Sequence, residues 1–144
     1  MQYRNMETGD YDAMISLWRS CDGLLLRDAD SREGIEKYRR RNPGLSFVAL
    51  GEGETLVGTI LAGHDGRRGY IMHVAVADAH LCKGIGGWLL QLSLDALKVE
   101  GIEKAHVHVA ADNHAGRNYW TRRGFHHRGE IELYSFINGE NENV

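Results

Sequence analysis

Tyr70-Ile71-Met72-His73-Val74-Ala75-Val76-Ala77 runs directly into Asp78-Ala79-His80-Leu81-Cys82-Lys83-Gly84-Ile85-Gly86-Gly87, and the handover between the two stretches decides the architecture. The first is apolar and rich in β-branched residues, which suits a central strand buried on both faces. Beyond the second, Ile85, Trp88, Leu89, Leu92, Ala96 and Val99 recur at helical spacing as far as Gly101, a residue suited to a left-handed cap. A strand therefore passes to a helix through a glycine-rich loop. Gly84 and Gly86 permit a tight turn that aims successive backbone N–H groups at one spot, where the positive end of the helix attracts an anion such as a phosphate. An ordinary strand-to-helix turn would use the same glycines, and Lys83 either adds charge or lies in solvent. Two nucleotide motifs are excluded: Gly-x-x-x-x-Gly-Lys-Ser/Thr is missing, and no early strand-turn-helix unit carries an acidic residue about 20 positions on.

Working outward, Gln2 to Asn5 reads as an edge strand, and Asp10 is placed to cap a helix whose stripe is Tyr11, Met14, Ile15, Trp18 and Cys21. Ser31 caps a second helix containing Ile35 and Tyr38, which ends at Asn42-Pro43-Gly44 with Arg39, Arg40 and Arg41 in its last turn. Ser46 to Leu50 and Thr55 to His64 form a hairpin about Gly51-Glu52-Gly53-Glu54, and with Tyr70 to Ala77 they make a three-stranded meander. Lys104 to Ala110 alternates His106 and His108 with Val107 and Val109 as a fifth strand. A short helix capped by Asp112 or Asn113 runs through Arg123, and Phe125 to Arg128 and Glu130 to Ile137 read as final strands. The expectation is a single α/β domain over residues 1–138, a mixed, mostly antiparallel sheet of six to seven strands flanked by about four helices, with a polar, frayed tail at 139–144.

A chain of 144 residues fits one domain. With 42% hydrophobic and 26% charged residues it falls outside the disordered and fibrous classes, and its net charge of −3 offers nucleic acid no general attraction. No apolar run approaches the roughly 20 residues of a membrane span, and Met1 to Asn5 lacks the apolar run of a signal peptide, so a cytoplasmic location is expected. Cys21 and Cys82 are too few for a disulfide scaffold, and Cys82 reads either as a reactive thiol or as a buried loop residue. His106 with His108, and His126 beside His127, have no nearby carboxylate cluster, so no metal site is expected.

Val74-Ala75-Val76 followed by Leu81-Cys82-Lys83-Gly84-Ile85-Gly86 resembles the loop signature of the GNAT family of N-acetyltransferases, Arg/Gln-x-x-Gly-x-Gly/Ala after a valine-rich strand. Asn113, Gly116, Trp120, Gly124 and Phe125 are similar to a second segment of that family, in the right order and at about the right distance, and the element order matches along nearly the whole chain. The resemblance implies a GNAT fold and transfer of the acetyl group of acetyl-CoA to a primary amine by direct attack in a ternary complex. It implies that the backbone of Val74, Ala75 and Val76 pairs with the pantetheine arm, that the N–H groups of Cys82, Lys83, Gly84, Ile85, Gly86 and Gly87 hold the pyrophosphate, and that Asn113 contacts the cosubstrate where two strands splay. Asn113 is also a helix cap by its own chemistry. Two departures matter: Leu81 stands where Arg or Gln is usual, and Trp120 where many members carry the tyrosine that returns a proton to the thiolate. Tyr119 is adjacent, but neighbours on a helix diverge by about 100°.

The chemistry needs a base for the amine and an acid for the leaving thiolate, for which His73 and Tyr119 are the candidates, with His64 as a second histidine in reach of the role. Asp22, Asp28, Asp30, Glu33 and Glu36 lie in the segment expected to wall the acceptor site, either suiting a cationic amine or forming a solvated acidic face. The acceptor is left open between a small-molecule amine and a protein amine, and a homodimer through the final strands is a further option. The competing reading is a non-catalytic acyl-CoA-binding or interaction module on the same fold, for which filled space between the Val74–Val76 strand and the strand ending at Ala110 would speak.

Overall fold

A computed structural model describes all 144 residues. In chain order the elements are β1 (Gln2–Asn5), α1 (Tyr11–Ser20), α2 (Arg32–Arg41), β2 (Phe47–Leu50), β3 (Leu56–His64), β4 (Gly69–Val76), α3 (Ile85–Val99), β5 (Ala105–Val107) and α4 (His114–Arg122). The strands lie side by side in sequence order, β1-β2-β3-β4-β5. The first four pair antiparallel and β5 runs parallel to β4, as a strand reached through a helical crossover must. The α/β class, the β2-β3-β4 meander and the four helices follow the sequence reading.

Helices cover both faces of the sheet. On one, Ile85, Leu89 and Leu97 of α3 bury against Ala49, Val57, Ile60 and Ile71. On the other, Met14, Leu17 and Trp18 of α1 and Ile35 of α2 bury against Val48, Leu50, Leu61 and Ala75. Burying a side chain of this size contributes about 1.5–3 kcal/mol relative to leaving it in water. The α1 stripe read from sequence does this, but the α3 stripe is displaced: Ile85, Leu89, Leu90, Ser93 and Leu97 are buried, while Trp88 and Val99, expected on the apolar face, are exposed. α3 ends as expected, with Gly101 at φ +82 and Ile102 N donating back to Leu97 O at 3.0 Å.

The sheet has five strands rather than six to seven. Residues 125 to 144 contain no strand, and Leu133, Tyr134 and Phe136 are 73%, 86% and 88% exposed. The alternation from Glu130 to Ile137 specifies one apolar face but no partner, and β5, expected over seven residues, offers an edge of three. The tail does make contacts: Asp28 N donates to Asn143 O at 2.9 Å, and the Asn141 and Asn143 side-chain amides donate to the Asp28 carboxylate at 2.7 and 2.8 Å. Asp10 does not cap α1. Its carboxylate instead accepts from Arg4 at 2.8 and 2.9 Å and from Glu7 N at 2.8 Å, because the guanidinium on β1 offers a forked, charged partner. Ser31 caps α2 as expected, accepting from Gly34 N at 3.1 Å.

Candidate active site

β4 is held on both sides only at its start. Gly69, Tyr70 and Ile71 pair with Ala105, His106 and Val107 of β5, and there the pairing stops, while β3 stays paired to β4 as far as Val76. Ala77 N donates to Val57 O at 2.8 Å, so by the two-residue alternation of a strand Val74 and Val76 turn their N–H and C=O groups away from β3, toward the side that β5 has left. No strand pairs with that side of β4 beyond Ile71.

The loop beyond this end is shaped by Cys82 and Gly84, which take φ +60 and +81. Gly84 tolerates that conformation without a Cβ penalty and starts α3, Trp88 N donating back to its carbonyl at 3.0 Å. From Cys82 to Gly87, six successive N–H groups donate to no acceptor in the protein. They sit at the positive end of a fifteen-residue helix, a donor set suited to a phosphate. Cys82 is exposed, not buried, as are Leu81 and Lys83. Because the donors are main-chain groups, Leu81 in place of Arg or Gln leaves them intact.

α4 lies across the start of α3. A Cβ on Gly86 would meet the Tyr119 hydroxyl at 2.9 Å and Val76 Cγ2 at 3.8 Å, and one on Gly87 would meet Arg123 Nη1 at 2.6 Å. A side chain at either position would displace the Tyr119 hydroxyl or the Arg123 guanidinium. The Tyr119 hydroxyl is buried with no hydrogen-bond partner in the protein, at the junction of the loop and the open end of β4. A buried hydroxyl without a partner costs about 1–3 kcal/mol and points to a group the protein itself does not supply. Trp120 turns elsewhere, packing edge-on against Phe125 with ring centroids 4.8 Å apart and joining the core beneath α3. Asn113 caps α4, its Oδ1 accepting from Gly116 N at 3.0 Å, and its Nδ2 lies close to Gly23.

His73 marks the point where β4 parts from β5. It takes φ +49 at an irregularity in the β3–β4 register, a conformation uncommon for a residue with a Cβ and kept only where its surroundings enforce it. Trp18 Nε1 donates to Thr59 Oγ1 at 2.9 Å, and that hydroxyl donates to His73 O at 2.9 Å. The Trp18 ring meets the imidazole edge-on at 4.7 Å. Asp30, in the single 3-10 turn Asp28–Asp30 between α1 and α2, contacts His73 Nε2 at 2.6 Å through Oδ1. Burial alone would raise the Asp30 carboxyl, but hydrogen bonds from His73 and Arg27 N hold it below the ordinary range. Sequence reasoning placed Asp30 on an acidic face; no signal in the sequence joins it to a histidine 43 residues away.

His64 lies elsewhere, at the far end of β3, its Nε2 3.1 Å from Glu100 Oε1 and its Nδ1 accepting from Gly66 N. It lines a cavity on the α2 side rather than the loop. That cavity, of about 400 Å³, borders Met72 and is walled by Tyr38, Tyr70, His106 and His108. Arg41, His64 and Asp65 line it too. Burial pushes the Tyr38 phenol up to about 12, and burial together with Lys104 and Arg128 lowers His106.

The sequence pattern of the Acetyltransferase (GNAT) family matches residues 11–125. The chain belongs to that family. It is 34% identical over 115 residues to an acetyltransferase of Pectobacterium atrosepticum, covering 80% of each chain. Its fold is similar to that of the PaiA N-acetyltransferase of Thermoplasma acidophilum, solved with coenzyme A, at a TM-score of 0.73 and 18% identity over 85% of this chain and 87% of that one. It is also similar to that of an aminoglycoside 6'-N-acetyltransferase of Acinetobacter haemolyticus, at a TM-score of 0.71 and 14% identity over 99% and 100%. The protein is thus a GNAT acetyltransferase with acetyl-CoA as its cosubstrate. An extended ligand with phosphates at one end fits what the acetyltransferase presents: an unpaired strand edge, then a buried unpartnered phenol, then six unused N–H groups. No helix is long and apolar enough to cross a membrane.

Proposed function

We propose that the protein acetylates a primary amine from acetyl-CoA by direct transfer in a ternary complex. The run of six unused N–H groups adjoining the open end of β4 carries this reading. The N–H groups of Cys82, Lys83, Gly84, Ile85, Gly86 and Gly87 hold the pyrophosphate. The main-chain groups of Val74 and Val76 pair with the pantetheine arm as an added strand would, with Ala75 between them held to β3, and Asn113 borders the arm from the start of α4. When bound, acetyl-CoA supplies a thioester open to attack by an amine. A main-chain N–H on the open side of β4 stabilises the charge that develops on the carbonyl oxygen, since it is already fixed in place. His73 takes the proton of the amine, and the Tyr119 hydroxyl returns one to the sulfur, a role Trp120 cannot fill because it faces the core.

The acceptor enters past Met72, the neighbour of His73, through the cavity walled by Tyr38, Tyr70, His106 and His108, with Arg41, His64 and Asp65 also on its lining. The acidic face does not select a cation as a whole, because most of it is engaged: Asp30 with His73, Asp28 with the tail, and Glu36 with Arg39 and Thr8. Both small-molecule and protein amines fit this description. Calorimetry with acetyl-CoA and CoA on the wild type and Gly84→Asp tests the reading. The wild type binds both, and the variant, with a carboxylate among the N–H groups, loses at least about 100-fold in affinity, roughly 3 kcal/mol. Absence of binding to the wild type would overturn the proposal. A panel of spermidine, kanamycin, L-lysine and an alanine-initiated peptide then sorts the acceptor class.

A further inference from the structure

The Asp30–His73 contact defines which nitrogen of His73 is free. Asp30 is fixed on several sides: Oδ2 accepts from Arg27 N at 2.9 Å, Oδ1 meets His73 Nε2 at 2.6 Å, and its main-chain carbonyl accepts from Tyr11 Oη at 2.7 Å. The two side chains are 12% and 15% exposed. An ionised carboxylate only accepts, so a neutral imidazole against it must carry its proton on Nε2. Nδ1 then bears a lone pair, has no partner in the protein and is not buried. The ring is set edge-on against Trp18, with its Nε2 against Asp30.

We infer that Asp30 is a positioning residue that holds His73 as the Nε2–H tautomer, making Nδ1 the atom that accepts the proton of the acceptor amine. The inference rests on the reading of His73 as the base. Nδ1 receives the proton shed by the amine nitrogen as the nitrogen lone pair closes the N–C bond and the C–S pair departs on sulfur. Tyr119 supplies the proton of the thiol product, and proton exchange with water restores both side chains. Asp30 stays ionised throughout and balances the imidazolium.

Asp30→Asn gives a sharp test, because the structure dictates how the amide sits. Arg27 N needs an acceptor, so the amide oxygen takes the place of Oδ2 and the NH₂ group faces Nε2. A donor there forces the His73 proton onto Nδ1, blocking the base with little change in shape. Long-range ¹H–¹⁵N correlation spectra of the ¹⁵N-labelled protein, taken without cosubstrate or acceptor, report the tautomer directly. Nε2–H in the wild type and Nδ1–H in Asp30→Asn is the expected result; Nδ1–H in the wild type overturns the inference even if the variant does not fold. In acetyl transfer to the panel amines, Asp30→Asn is expected to lower kcat at least about 100-fold, with acetyl-CoA affinity within about twofold of wild type. A variant with the switched tautomer and a kcat within threefold of wild type sinks the catalytic half of the inference. His73→Gln at wild-type rate would instead remove His73 as base, a failure of the underlying reading that the spectra separate from the hydrogen-bond assignment.

Discussion

From Gly69 to Ile71, β4 is paired on both edges and its side chains help close the core; from Met72 to Val76 the same strand is paired on one edge only. The residue types barely change between the two halves. What differs is the neighbour: β5 ends as a strand at Val107, and the chain turns away before it has covered the rest of β4. The paired half is a structural element, and the unpaired half, on the reading proposed above, is a binding surface made by withholding a partner from main-chain groups that normally have one. The bulge at His73 sits at the boundary, where it bends the strand and turns an imidazole toward Asp30.

The contrast predicts that the two halves answer to different measurements. Ile71→Ala, at a side chain 1% exposed in the paired half, should lower the unfolding free energy by about 2–5 kcal/mol while leaving acetyl-CoA affinity unchanged where the protein is folded. Denaturant titration beside calorimetry checks this, and a variant that loses affinity without losing stability would erase the distinction. Tyr119→Phe, at the junction with the unpaired half, should do the reverse: stability holds or rises slightly because an unsatisfied buried hydroxyl is removed, and kcat falls about tenfold, roughly 1.4 kcal/mol.

The smallest expected effect concerns pH and lies far from the open end, at Asp10. Burial would raise this carboxyl, but hydrogen bonds from Arg4 and Glu7 N and the charges of Arg4 and Arg39 outweigh it and hold it low. A depressed folded value means the stabilisation is fully present above the unfolded aspartate value of about 3.9 and is lost as pH falls through the lower folded value. The stability gap between wild type and Asp10→Asn, measured by denaturation, should therefore be constant from pH 7 down to about 5 and narrow below about 4. Acetyl-CoA affinity should not follow it. A gap that widened in acid would reverse the assignment.

Much of this molecule is legible in its sequence. The helical stripe of α1, the helix α3, the meander, and the loop from Cys82 to Gly87 depend on residue types repeating over short range, and each forms where the pattern places it, although α3 buries Leu90, Ser93 and Leu97 rather than Trp88 and Val99. Boundaries such as the end of β5, and the expected strands after Phe125, are not legible, because a strand needs a partner and alternation from Glu130 to Ile137 names none. The choice between Tyr119 and Trp120 cannot be made from adjacency either; it is decided by which face of α4 lies over Gly86.

By itself the sequence determined the class of the fold and the place and glycine content of the loop, because periodicity, glycine and helix polarity act within a few residues of one another. Only the tertiary structure decided where β4 is left open, which aromatic residue reaches the open end, and that Asp30 meets His73. Those are contacts between distant parts of the chain, fixed by packing on the two faces of the sheet.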